Sequence, residues 1–309
     1  MAVLDAALLL VANAQCGVFS SAQAHPFGLS NQDLFRLARR GLVVRLGHGS
    51  FALPQALDGL DATARFVQLV RGVVLARPVR SWASHHAALA VHGLPLREVD
   101  TAAVDVCGTV TRRSRSCRLE VHPLPQGEPC QLVQGIRVVS AALAVVQVST
   151  RSVAAGLVAV DAALHAGLVD DAALAAAMDR APLGPRQRAK AEAVLAMADP
   201  RCESPGESLT RILLVGLAPP VRSQVNIRDE AGLIGRVDFL VGERVVVEFD
   251  GMVKYAGADG RQALAAEKRR KDRLRAAGYQ VVRLTWADLH HPDRVARAIR
   301  QAMARAAAR

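Results

Sequence analysis

The sequence predicts a multi-domain α/β chain, and three observations carry the prediction. VRSQVNI, RVDFLVG and RVVVEFD follow one another as short runs rich in Val, Ile and Phe, parted by turn residues, between segments of helical periodicity. The first 54 residues read as three short helices and a hairpin. PRCESP at 200–205 breaks the chain where an alanine-rich helical stretch gives way to the strand-bearing segment.

The elements follow in order. A first helix covers about 3–14 and stops at Gly17; Ser20 or Ser21 caps a second near 21–25. After the Pro26–Gly28 turn, Ser30 caps NQDLFRLARRG, with Leu34, Leu37 and Ala38 as its apolar stripe and Gly41 as its end. LVVRLGHGSFALP reads as two strands about Gly47–Gly49. Three helices then a hairpin is the order of a winged helix-turn-helix, which presents a helix to the DNA major groove with a wing beside it. Residues 57–80 carry helical spacing, and Ser81 or Ser84 caps SHHAALAVHGL. AAVDVCGTV and CRLEVHPL alternate as strands, GIRVVSAALAVVQVS runs from strand into helix, and 150–198 is helical with a break at DRAPLGPRQRA. Beyond PRCESP comes a helix over 205–217 with Leu209, Ile212 and Leu213 on one face, then the three strands. A charged helix at about 260–277, the strand YQVVRLTW and an arginine-rich helix from 292 to 306 complete the chain. The expected domains are a winged-helix-like domain at 1–56, an α/β middle domain at 57–150, a helical connector at 151–200 and an α/β domain of nuclease-like layout at 201–309.

Composition narrows the partners. The formal charge is +11, which points to a polyanion, but 35 of the 39 basic residues are arginine, as compositional bias alone would give. The distribution says more: residues 254–309 hold fourteen Lys+Arg against five Asp+Glu, a net of +9. DNA is therefore the expected partner. Residues 4–14 are too short for a membrane span and lack the basic start of a secretion signal, so a cytoplasmic protein is expected. The five cysteines, at 16, 107, 117, 130 and 202, form no Cys-x-x-Cys pair and read as reduced, mostly buried thiols. His85, His86 and His92 share a helix, with no Cys or carboxylate near them in sequence to complete a metal set. Tyr279 and Trp286 flank an apolar strand and are expected in the core.

Asp238, Glu248 and Asp250 carry the chemistry. Carboxylates within apolar strands are costly to bury unless compensated, and a hard divalent cation is the usual compensation. A turn centred on Glu243 sets Asp238 opposite Glu248, about 5 Å apart at Cβ, with Asp250 two residues on along the same face. A two-residue Gly242–Glu243 turn instead sends Asp238 and Glu248 to opposite faces, so the cation reading demands an odd-length or bulged turn.

SPGESLTRILL, SQVNI, GRVDFLV, VVVEFDG and EKRRKDRLRAAGYQVVRLTWADL together resemble the PD-(D/E)XK nuclease superfamily, and within it a family of unknown function related to very-short-patch-repair endonucleases. The resemblance covers about 201–303. It implies a restriction-endonuclease-like fold and Mg2+ (or Mn2+) held by Asp238 and Glu248, with Asp250 as a further ligand or water-orienting group and Glu207 and Gln224 shaping the site. The superfamily carries a catalytic lysine two residues after the Glu; Asp250 stands there, so Lys254, Lys268 or Lys271 is needed in its place. Lys268 is the expected catalytic group, on a stripe running from Leu264 through Lys271 to Leu274, and Lys254 and Lys271 are expected DNA contacts. The segments 30–54 and SWASHHAALAVHGLPL resemble abortive-infection (AbiEi-type) antitoxins, although VVSAALAVVQVS departs from that pattern. There Arg36, Arg39, Arg40 and Arg45 are expected on phosphates, and a toxin partner or a second copy of the chain fits the resemblance. The expected activity is metal-dependent DNA cleavage. The alternative is a DNA-binding regulator of antitoxin type with an inert nuclease fold.

Overall fold

Local capping chemistry starts most of the helices. The Asp5 carboxylate accepts from the Ala7 N–H to begin α1 (Ala6–Ala14), and reciprocal side-chain and backbone bonds between Ser20 and Gln23, and between Ser30 and Asp33, begin α2 (Ser21–Ala24) and α3 (Asn31–Arg39). The computed structural model describes the backbone of residues 4–78, 80–116, 118–217, 220–251 and 259–308, with side chains except at 259–266. The chain is mixed α/β and divides into two compact units, Met1–Ala159 with Ala166–Met197 and Val160–His165 with Ala198–Arg309. Among the described residues no helix is long and apolar enough to cross a membrane.

In the first unit, β1 (Val18–Ser20), β2 (Val44–Gly47) and β3 (Ser50–Ala52) form an antiparallel sheet of order β1-β3-β2. Leu8, Ala12, Phe19, Leu34, Leu37, Val43 and Phe51 close a core beneath it. The three-residue β1 lies outside the expected pattern because it is too short to show alternation. Helix α4 (Ala62–Leu75) is shorter than the 57–80 that spacing predicts, since Asp61 caps its start and Arg77 and Pro78 lie beyond its end. A six-stranded mixed sheet of order β6-β7-β5-β4-β9-β8 follows, built from β4 (Trp82–Ala83), β5 (Val104–Gly108), β6 (Ser114–Ser116), β7 (Leu119–Pro123), β8 (Gln131–Val133) and β9 (Ile136–Val138). It carries α5 (His85–Val91) between β4 and β5 and leads into α6 (Ala141–Ser149), α7 (Val153–His165), α8 (Asp171–Arg180) and α9 (Pro185–Ala196).

The second unit begins with α10 (Pro205–Val215), capped by Ser204 with Pro205 at its first position. The strands β10 (Val221–Asp229), β11 (Gly232–Val241) and β12 (Val245–Phe249) form an antiparallel meander. Helix α11 (Asp259–Ala276) crosses over to β13 (Gln280–Leu284), which lies parallel to β12, and α12 (Trp286–Leu289) and α13 (Pro292–Ala307) end the fold. Phe239, Val241, Val245 and Val247 pack with Leu214 of α10 and Val295 and Ile299 of α13, while Leu240 and Val246 pack with Leu274 of α11. The strict alternation between these two sets is the period-2 signature of a sheet covered on both faces. Three expectations are corrected here. Leu214, fully buried, leads the inner face of α10, with Ile212 and Leu213 only partly covered. Trp286 is 37 % exposed at the start of α12 instead of lying in the core. Cys16 and Cys130 are exposed, while Cys107 and Cys202 are buried.

One close approach fixes α10 on the sheet. A Cβ at Gly206 would overlap the Phe249 ring, so only glycine lets the first turn of α10 reach the end of β12. Gly206→Ala is expected to destabilise the protein by about 1–3 kcal/mol, the usual cost of overpacking, read as a lower urea midpoint with an unchanged slope.

Candidate functional site

The acids of the second unit converge at one end of the meander. Pairing of Phe239 with Val247, Leu240 with Val246 and Val241 with Val245 centres the turn on Glu243 and carries Asp238 opposite Glu248. The turn is therefore the odd-length one. On the other side of β11 the register sets Gln224 across from Asp238, where Gln224 adopts a left-handed backbone at φ 53° in mid-strand. A left-handed non-glycine residue inside a strand is strained, and here it presents its amide to α10: Gln224 Nε2 donates to Glu207 Oε2 at 2.8 Å. Glu207, buried in the first turn of α10, also accepts from the Glu203 N–H at 3.0 Å and the Ser204 hydroxyl at 2.7 Å.

Asp238 accepts the Phe249 backbone N–H at 2.8 Å. Burial pushes its carboxyl up to about 6; the Phe249 bond and Arg270 oppose the rise, and the neighbouring Glu207 and Glu248 carboxylates add to it. Glu248 is held differently. Arg270 of α11 donates to Glu248 Oε1 and to the Arg236 carbonyl, and Arg283 of β13 stands 3.5 Å from Glu248 Oε2. Glu267 approaches both arginines. Asp250 lies just past β12, where its N–H donates to the Leu284 carbonyl at 2.7 Å.

Asp238, Glu248 and Asp250 are neighbours in the fold, but among the described residues they do not bring one ligand atom each within 4.8 Å of one another. Lys268 does not take the inward position expected of it. Lys268 is exposed and Lys271 half-buried, and the α11 side chain that reaches Glu248 is Arg270. Lys254 lies outside the described residues. Arg36, Arg39, Arg40 and Arg45 are all exposed on α3 and the hairpin after it; Arg36 pairs with Asp33 at 3.1 Å and Arg45 lies over the Phe35 ring at 4.8 Å.

A second cluster, in the first unit, was not visible as a set in the sequence. His85, Asp105 and His122 each place one ligand atom within 4.8 Å of the others. His85 opens α5 with a left-handed φ of 50°, and its ring packs on that of His122 at 4.1 Å. Arg151 spans Asp105, donating from Nη1 to Oδ2 at 2.9 Å and from Nη2 to Oδ1 at 2.6 Å, and His122 Nε2 is 2.8 Å from Oδ1. Burial opposes ionisation of Asp105, yet the bonds from His122 and Arg151 hold its carboxyl well below the usual range. Burial also keeps the His85 imidazole well below its ordinary value. The donor atoms suit a transition metal, but the Asp105 charge is already compensated by a bidentate guanidinium. No family model matches the chain, and no curated protein matches it.

Two predictions follow from these charges. Asp238 titrates higher in the folded protein than its ordinary 3.8. Folding therefore favours its protonated form, and the destabilisation it causes is absent below about pH 4 and complete above about pH 6. In EDTA, Asp238→Asn, which keeps an acceptor for the Phe249 N–H, is expected to raise stability at pH 8 and leave it unchanged near pH 4. The gain is about 1–2 kcal/mol after allowing for partial exposure, and urea unfolding at the two pH values measures it. In the first unit, Arg151→Met leaves the buried Asp105 carboxylate with His122 as its remaining side-chain partner. A loss of about 3–5 kcal/mol is expected, with Asp105→Asn on the same background recovering part of it in thermal melts.

Proposed function

We propose that this protein is a metal-dependent DNA endonuclease whose centre is the Glu207–Asp238–Glu248 group. Residues 1–56 serve it as a winged-helix-like DNA-binding module. The observation that carries the reading is Asp238: a half-buried carboxyl raised to about 6 by burial and by two further carboxylates, opposite Glu248 in the hairpin register. Such a site holds more negative charge than its surroundings relieve, which is the common signature of a cation-binding or catalytic centre. The helix, three-stranded meander, crossover helix and parallel strand of α10 to β13 support a restriction-endonuclease-like fold, and the exposed arginines at 294, 297 and 300 on α13 support a phosphate-backbone partner.

The donor set, all carboxylate oxygen with one member short of compensation, suits a hard divalent cation, Mg2+ or Mn2+, by its chemistry, while Glu207, Asp238 and Glu248 do not place one ligand atom each within 4.8 Å of one another among the described residues. Asp238 and Glu248 are the residues that would hold it, with Asp250 beside them. When bound, such an ion polarises a phosphate oxygen and lowers the pKa of a coordinated water. The chain's own groups do the positioning. The Phe249 N–H fixes the Asp238 carboxylate, Gln224 and Ser204 fix Glu207, and Arg270 and Arg283 bring positive charge to the place where a phosphodiester must approach.

Conversion of supercoiled plasmid to nicked or linear form, in Mg2+ or Mn2+, tests the reading. Wild type is expected to cut, and Glu248→Ala to be slower by at least about a hundredfold, the scale seen on losing groups that tune a metal site. Intact plasmid from both proteins in both metals removes the enzyme reading. It leaves a non-catalytic DNA-binding regulator, which the Arg270 and Arg283 contacts to Glu248 and the Asp250 at the usual lysine position favour.

A further inference from the structure

The first unit contains a recess of about 490 Å³, separate from the acidic centre and walled in part by the β2–β3 hairpin proposed to bind DNA. It lies among the β2–β3 hairpin, the C-terminal half of α4 and the β6–β7 hairpin. Leu46, Leu69, Val73, Ala76 and Leu119 give it an apolar floor. Arg45, Arg77 and Arg118 reach it from three different elements, His48 and Ser116 complete its polar wall, and among the described residues no carboxylate lines it.

The polar wall is built rather than incidental. Arg45 is held at the rim: its Nε donates to the Gly47 carbonyl at 3.3 Å and its guanidinium lies over the Phe35 ring. Arg77 Nε is shielded from water and has no hydrogen-bond partner among the described residues. That shielding holds the Arg77 side chain in place, and the part of its guanidinium that lines the recess is what a ligand would meet. Three arginines with no acid beside them among the described residues favour a dianion over the single charge of a carboxylate. They match the three terminal oxygens of a phosphomonoester. The apolar floor, at a volume typical of small-molecule sites, calls for a ring or similar body behind that phosphate.

We infer that this recess binds a small phosphomonoester on a ring-shaped body, of the size of a nucleoside monophosphate. Calorimetric titration of the full chain with AMP, GMP, CMP and UMP tests this, with adenosine and inorganic phosphate as partial probes. Saturable one-to-one binding of at least one nucleotide below about 1 mM is expected, corresponding to about −4 kcal/mol or better. The base-only and phosphate-only probes are expected to bind at least tenfold more weakly. Arg77→Met and Arg118→Met keep the apolar stems and are each expected to weaken binding at least tenfold. Arg118 is exposed, so its variant tests the site even if Arg77→Met fails to fold, and thermal melting reports which variants are folded. Absence of saturable binding by all four nucleotides overturns the inference. So does undiminished affinity in the folded variants, or adenosine or inorganic phosphate binding as tightly as the nucleotides. None of these results depends on whether the second unit cuts DNA.

Discussion

Phe249 is the residue through which the second unit holds its acids together. Its backbone N–H is bound by Asp238 from the neighbouring strand, its ring fills the space that Gly206 leaves open, and the edge of Trp286 meets it at 5.0 Å. Gly206 immediately precedes Glu207, and Phe249 sits between Glu248 and Asp250. One residue, by its ring and its backbone N–H, thus joins the helix bearing the first carboxylate to the two strands bearing the others. The geometry of the acidic group is a consequence of apolar packing at its back. A half-buried cluster of like charges has no cohesion of its own and must be assembled by something else.

The two polar clusters of the protein show the same problem met in different ways. Asp105 is buried more fully than Asp238, yet it is held ionised because Arg151 grips both oxygens and His122 adds a third contact. Asp238 receives one backbone N–H and faces two carboxylates. Donor identity alone would rank the His85–Asp105–His122 group as the better metal site. Guanidinium groups stand in both, Arg151 on Asp105 and Arg270 and Arg283 on Glu248, so what sets the second apart is Asp238, which faces two carboxylates with a single backbone N–H.

Much of the second unit was legible because its pattern is local. The Asp238–Glu248 spacing is an even number, and together with the turn it dictates which face each carboxylate takes; the Glu243-centred pairing then follows. On α11 the expected stripe holds at buried Leu274 and half-buried Lys271 but not at exposed Lys268, and the side chain that reaches Glu248 is Arg270, four residues before Leu274. The histidine cluster was illegible for another reason. His85 and Asp105 are twenty residues apart, and His122 arrives on a strand paired in parallel with that of Asp105, so only the sheet order of the first unit unites them. The strands β1 and β8 span three residues each, too few for alternation to register.

The three residues joining β11 to β12 have a bearing on how this chain can change over generations. Their identities are nearly unconstrained apart from the left-handed Gly242, since Glu243 and Arg244 are exposed. Their number is not. Gaining or losing one residue there would turn the second strand over and carry Glu248 to the face opposite Asp238, while also driving Val245 and Val247 out of their core. Losing or gaining two would slide the strand without inverting it. The turn is thus free to drift in composition but restricted in parity, so that lineages descending from this sequence should differ at these positions by substitution far more readily than by single-residue indels.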